Sequence, residues 1–90
     1  MTALTLTSPH KRPLRPLVEA ALQNEQRLLQ AGIRRTERRL RDCEKKYGLS
    51  SEEFLRRYEN NEVEETLDFI EWIGEFRLLE RMQEKLDIFQ

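Results

Sequence analysis

The chain has 90 residues, of which 37% are charged and 38% are apolar, and its formal net charge is −1. Ninety residues fit one domain, and so short a chain buries a modest share of its surface, so oligomerisation or a partner commonly supplements the core. A single cysteine, Cys43, excludes an internal disulfide, and no apolar run approaches the roughly 18 residues of a membrane span. We therefore expect a soluble, cytoplasmic protein that makes no membrane contact.

The charge is divided between the two halves of the chain. Residues 1–46 carry 11 lysines and arginines against 5 acidic residues, a balance of +6, whereas residues 47–90 carry 5 against 12, a balance of −7. This division predicts antiparallel packing of one half on the other, within one chain or between two copies, with solvated helix flanks as the simplest interpretation. The basic half is also compatible with nucleic acid or an acidic partner.

The first 16 residues, MTALTLTSPHKRPLRP, predict a flexible basic tail because prolines at positions 9, 13 and 16 prevent a continuous helix. Pro16 suits the first turn of a helix, which we predict over residues 17–47. A heptad spacing marks the packed side of this helix, which we term the seam; it contains Leu29, Ile33, Thr36, Leu40, Cys43 and Tyr47.

The sequence YGLSSEEF predicts a sharp corner after the first helix. Gly48 can adopt the left-handed conformation that ends a helix. Ser50 followed by Glu53 forms a capping-box pattern, and Leu49 can pack on Phe54 as a hydrophobic staple. We therefore predict a short second helix over residues 51–59.

A third helix is predicted over residues 62–89, with Asn61 as its cap and acidic residues in its first turn. Its apolar residues fall on two nearly opposite stripes. The first stripe contains Phe69, Trp72, Ile73, Phe76, Leu79 and Leu86. The second contains Val63, Leu67, Ile70, Leu78, Met82 and Phe89, with Gly74 between Ile70 and Leu78. A small monomer needs one such stripe, so the second one must be covered by this chain, a second copy or a different protein.

These elements predict an all-α fold: a long antiparallel helical hairpin with a short connecting helix, which dimerises into a helical bundle. The tail would occupy residues 1–16, and a single helical domain would occupy residues 17–90. In this arrangement one stripe of the third helix covers the seam and the other remains open.

The basic helix carries a set of possible nucleic-acid contacts: Arg34, Arg35, Arg38, Arg39 and Arg41. Interleaved acidic residues and the absence of aromatic residues for stacking on bases argue against this function. The sequence contains no clustered nucleophile or acid–base set and no combination of metal ligands. We therefore expect neither an enzyme nor a cofactor or metal site.

Residues 46–89 resemble a group of small helical prokaryotic antitoxins encoded beside toxin genes, of the kind paired with TumE-type toxins. The resemblance is carried by KYGLSSEEF at residues 46–54 and by DFIEW at residues 68–72, joined by an acidic linker. The chain departs from the family pattern at Asn61, where a glycine is usual.

The resemblance implies that the chain binds a cognate toxin and neutralises it by occluding a basic surface with an acidic amphipathic helix. The residues that we expect to contact this partner are Ile70, Gly74, Leu78, Met82, Trp72, Glu71 and Glu75. Large apolar side chains would anchor the partner, and the carboxylates would steer it. A DNA-binding repressor and a structural coiled-coil homodimer are the alternatives.

Overall fold

A computed structural model describes residues 14–89, and within this range the chain forms three α-helices and no strand. These helices are α1 (Leu14–Tyr47), α2 (Ser51–Glu59) and α3 (Leu67–Ile88). The predicted all-α class and the hairpin with a short connecting helix are confirmed. Most of the predicted basic tail, residues 1–13, lies outside the described residues.

The two long helices run antiparallel along the seam. Lys46 pairs with Asp68, Arg39 pairs with Glu75, and Gly32 faces Met82, so equal steps down α1 correspond to equal steps up α3. The two pairs cross from the basic helix to the acidic helix. The divided charge of the sequence therefore serves, at least in part, to align the two helices within one chain.

Helix α1 begins at Leu14, three residues before the predicted start. Pro16 lies within the first turn of this helix, as predicted. The amide positions of a first turn have no partner inside the helix, so the missing N–H of proline is tolerated there.

The corner between α1 and α2 follows its sequence signals. Gly48 has a φ of 64°, and the N–H of Leu49 donates to the carbonyl of Glu44 at 3.2 Å, which closes the end of α1. The N–H of Glu53 donates to the Ser50 hydroxyl at 3.1 Å, as expected for an N-cap. The Glu53 carboxylate bonds Arg56 instead of completing the capping box.

The connection between α2 and α3 differs from the prediction. Asn61 has a φ of 56°, and it ends α2 rather than capping α3, because the N–H of Glu62 bonds the carbonyl of Arg57 at 2.8 Å. Thr66 caps α3 by accepting the N–H of Phe69 at 3.2 Å. Residues 62–66 are therefore a non-helical linker, and α3 begins five residues later than predicted.

The core lies near the corner, where all three helices meet. Leu40, Phe54 and Trp72 form its centre, and the half-buried side chains of Phe69, Ile73, Phe76 and Leu79 pack against it. Farther along the seam, Leu29, Ile33 and Thr36 are buried against α3. The seam prediction is thus confirmed for these positions, while Tyr47 at its end is exposed.

The two long helices differ in length. At 1.5 Å per residue, the 34 residues of α1 span about 51 Å and the 22 residues of α3 span about 33 Å. The sequence had suggested nearly equal lengths. The beginning of α1 consequently extends past the end of α3, with Leu17, Val18 and Leu22 exposed.

Candidate protein-binding surface

Helix α3 exposes one apolar side, which we term the outer face: Leu67, Ile70, Gly74 and Leu78. Leu67 is 71% exposed and Ile70 is 53% exposed, whereas Leu78 is half-buried. These residues recur every three or four positions, so they lie on one side of the helix. The outer face contains Leu67, Ile70 and Leu78 of the second apolar stripe, whereas Val63 of that stripe packs against the core.

A groove of about 600 Å³ runs between α1 and α3 beside the outer face. It brings together most of the residues predicted to contact a partner: Glu71, Trp72, Gly74, Glu75 and Leu78. From α1 it receives Arg39, Cys43 and Lys46. A Cβ built on Gly74 would meet no atom within 4 Å, so no part of the described chain requires a glycine there. Because glycine has no side chain, the groove is open at this position.

Trp72 does not belong to the partner surface, because it is 1% exposed in this structure. Its indole stacks on Phe54 with a centroid distance of 3.9 Å and on Tyr47 with a centroid distance of 5.7 Å. Its Nε1 donates to the Ser51 hydroxyl at 2.8 Å. We therefore assign Trp72 to the core, where it joins the three helices.

Met82, which was also predicted to contact a partner, packs against α1 instead. Its Sδ lies 2.9 Å from the position that a Cβ on Gly32 would occupy, so the thioether packs directly over that glycine. Of the two glycines within the long helices, Gly32 is the one that permits a close approach inside the chain.

Two of the carboxylates beside the groove are engaged within the chain. Glu75 accepts a hydrogen bond from Arg39 at 2.8 Å. Asp68 accepts bonds from Lys46 Nζ at 2.7 Å and from the Tyr47 hydroxyl at 2.6 Å. These two donors lower the pKa of Asp68, and the same bonds raise the pKa values of Lys46 and Tyr47. Glu75 and Asp68 thus stabilise the helix pairing and are less available to a partner.

Other carboxylates near the outer face have no ion-pair partner in the described part of the chain: Glu64, Glu65 and Glu71. All three are exposed. Glu71 lies one turn from Leu67 and Gly74, and the two linker residues directly precede α3. The exposed leucine and isoleucine are therefore bordered by free negative charge.

The arginines that were predicted to contact nucleic acid fall into two groups in the structure, one paired within the chain and one unpaired in the described part of it. Arg39 bonds Glu75, whereas Arg34, Arg35, Arg38 and Arg41 are exposed and form no ion pair within residues 14–89. Helical spacing places Arg34, Arg38, Arg41 and Lys45 on the side of α1 opposite Thr36, and we term these four residues the basic stripe. This stripe points away from α3 and remains available.

Cys43 lines the groove, but burial and the nearby Asp68 raise the pKa of its thiol, which disfavours the nucleophilic thiolate at neutral pH. Residues 14–89 contain no group of three or more potential metal ligands. None of the helices that the structure describes is long and apolar enough to cross a membrane.

The corner contains a polar arrangement that the sequence analysis did not identify. The hydroxyl of Ser51 accepts the Trp72 N–H, and its own backbone N–H donates to the Glu44 carboxylate at 2.8 Å. One signal was available in the sequence: a buried tryptophan requires an acceptor for its indole N–H. The choice among nearby acceptors depends on how α2 and α3 pack.

Comparison of the chain with protein-family models, with curated proteins and with solved structures gives no match. The outer face, the groove and the basic stripe are therefore the features of the described residues that bear on function.

Proposed function

We propose that the chain is an antitoxin-like protein that binds a cognate toxin and neutralises it by covering the toxin with the outer face of α3. The observation that supports this function best is the exposure of Leu67 and Ile70 beside carboxylates that have no cation within the described chain. Exposed apolar side chains with a charged border are typical of protein interaction sites.

The groove supplies a place for an anchoring side chain of the partner. The groove is open at Gly74, which has no side chain, and it is bordered there by Glu71 and Leu78. An aromatic or arginine side chain of the partner can therefore enter beside the free Glu71 carboxylate. Such anchors dominate the binding energy of most protein interfaces. A toxin with a basic surface would also associate faster because of Glu64, Glu65 and Glu71.

Co-expression with the protein encoded beside this chain tests the proposal. If that neighbour is a toxin, the parent chain should restore growth, and Ile70→Glu should fail to do so. Leu28→Glu provides a matched control, because Leu28 is an exposed leucine of α1 away from the outer face. Restoration of growth by Ile70→Glu at equal protein levels would contradict the role of the outer face.

A nucleic-acid-binding repressor is the second candidate function, and the basic stripe favours it. Its cations recur over three helical turns on one side of α1, with Glu37 and Asp42 along its borders, a spacing that can follow successive phosphates. If four phosphates are contacted, the logarithm of the binding constant should fall with the logarithm of salt concentration with a slope of about −3.6. Binding of duplex DNA that is lost in Arg38→Glu, but kept in Lys85→Glu on α3, would support this alternative.

A structural homodimer formed through two outer faces would compete with toxin binding for the same residues. In that case Ile70→Glu would convert a dimer into a monomer in the absence of any other protein. Sedimentation analysis of the parent and of Ile70→Glu separates this function from toxin binding, which predicts no such change.

A further inference from the structure

A second apolar patch lies at the far end of the molecule, where α1 extends past α3. We term residues 14–24 of α1 the overhang. Leu17, Val18 and Leu22 are each at least half exposed there, and Ile88 at the end of α3 is exposed beside them. The patch is separated from Leu67 and Ile70 by most of the length of α3, so it is distinct from the part of the outer face that is most exposed.

The apolar side of the overhang continues the seam, but α3 ends before it would cover these residues. Leu14, Val18 and Leu22 lie on the same side of α1 as Leu29 and Thr36, which are buried against α3. Helix α3 ends at Ile88, which borders a shallow groove together with Leu22 and Gln26. Another antiparallel helix that abuts the end of α3 would therefore continue to cover the apolar side of α1.

We propose that a second copy of the chain fills this position, with the two overhangs packed antiparallel about a two-fold axis at Val18. In this register Val18 faces Val18 of the second copy, and Leu14 faces Leu22 of the second copy in both directions. The partner overhang ends near Leu22, before it would meet Phe89. The result is an elongated dimer in which α3 and the second α1 cover one continuous seam.

The flanks of the overhang fit the same axis. Arg15 and Glu19 lie on one flank, where they pair with each other at 3.1 Å in the single chain. Antiparallel packing brings Arg15 of each copy to Glu19 of the other, so both pairs can re-form across the interface. Leu17 and Ala21 lie on the opposite flank, where Leu17 of one copy lies beside Leu17 and Ala21 of the other. Apolar side thus meets apolar side, and opposite charges meet.

The contact is short, so the dimer is expected to be weak. Few layers of side chains are buried, so the interface is smaller than the standard interface of a stable complex. We expect a dissociation constant on the order of 100 µM. The inference does not depend on the proposed function, because none of the overhang residues belongs to the outer face.

Sedimentation equilibrium of the full chain from roughly 10 µM to 1 mM tests the proposal around that constant. The parent should pass from monomer to dimer, and Val18→Glu should weaken the dimer at least about tenfold by burying a carboxylate without a partner. Leu28→Glu and Ile70→Glu should dimerise like the parent. A monomer at every concentration would contradict the proposal and indicate that residues 1–13 or another protein covers the overhang.

Cysteine pairs test the orientation. In chains with Cys43→Ala, the Leu14→Cys and Leu22→Cys variants should form an intermolecular disulfide when mixed and exposed to air, because these positions face each other. Neither variant alone should cross-link efficiently. Cross-linking of Leu22→Cys with itself, or a dimer that is lost in Ile70→Glu and kept in Val18→Glu, would overturn the proposed arrangement.

Discussion

The indole Nε1 of Trp72 donates a hydrogen bond to the hydroxyl of Ser51 at 2.8 Å inside the corner where α1, α2 and α3 meet. Both residues are buried, and the backbone N–H of Ser51 is held in turn by Glu44 of α1. Together with the stacking of Trp72 on Phe54, this contact holds one side of α3 against the core. Leu67 and Ile70 lie on the other side and are exposed.

Ser51→Ala should destabilise the chain by about 1–3 kcal/mol, because it leaves the buried Trp72 N–H without an acceptor. Urea unfolding followed by circular dichroism measures this change. In a Trp72→Phe background, which has no indole N–H, the same substitution should have a much smaller effect. Equal losses in both backgrounds would show that the hydrogen bond contributes little.

Thr36→Val should stabilise the chain by roughly 1 kcal/mol. The Thr36 hydroxyl is buried on the seam without a hydrogen-bond partner, and valine has nearly the same shape without the polar atom. Thr66→Val provides the contrast, because it removes the N-cap of α3 and should destabilise by about 1 kcal/mol. A loss of stability in Thr36→Val would mean that its hydroxyl is bonded in solution.

Gly74→Ala should stabilise α3 by up to about 1 kcal/mol, since alanine favours the helix and its Cβ meets no other atom. Gly32→Ala should gain less, because its Cβ would press against Met82 Sδ and force that side chain to move. Thermal unfolding of the two variants compares them directly. A larger gain for Gly32→Ala would contradict the close packing of Met82.

The pairing of Asp68 with Lys46 and Tyr47 predicts a dependence of stability on pH. The pKa of Asp68 is lowered from its ordinary value of 3.8, so its contribution to stability is present above that pH and is lost as the pH falls through the folded-state pKa. The pKa values of Lys46 and Tyr47 are raised, so their contributions are lost as the pH rises above about 10.

Asp68→Asn tests this dependence. The stability advantage of the parent over this variant should be present between those two limits and should shrink in acid and in strong alkali. Unfolding in urea across the pH range measures it, and Asp87→Asn, on an exposed residue with no ion pair in the described chain, serves as control. A constant difference between parent and Asp68→Asn at all pH values would contradict the pairing.

Local signals made the corner predictable from the sequence. The rotation of α3 about its axis and its first residue could not be predicted in this way. Gly48 and Ser50 act through their own backbone neighbours, and both behave as predicted. Asn61 and the acidic residues after it also resemble a helix start, but Asn61 is used to end α2 and Thr66 provides the cap. The choice between Asn61 and Thr66 as the N-cap of α3 depends on where α2 ends.

The partner surface could be predicted only in part, because α3 has apolar residues on both sides. Ile70 and Leu78 remain on the open side, while Trp72 and Met82 are taken up by contacts with Ser51 and Gly32. These contacts are tertiary, and no spacing within α3 distinguishes one stripe from the other. The overhang was missed for a related reason: its exposure follows from the register of α3 on α1, which ends α3 beside Leu22 and Gln26.

The affinity of the purified chain for the protein encoded beside it tests the central claim, that the outer face of α3 exists to bind another protein. Isothermal titration calorimetry should give tight binding to the parent and to Leu28→Glu, and binding at least about a hundredfold weaker to Ile70→Glu, a loss of some 2.7 kcal/mol. Equal affinity of all three chains, or no binding by the parent, would contradict the claim.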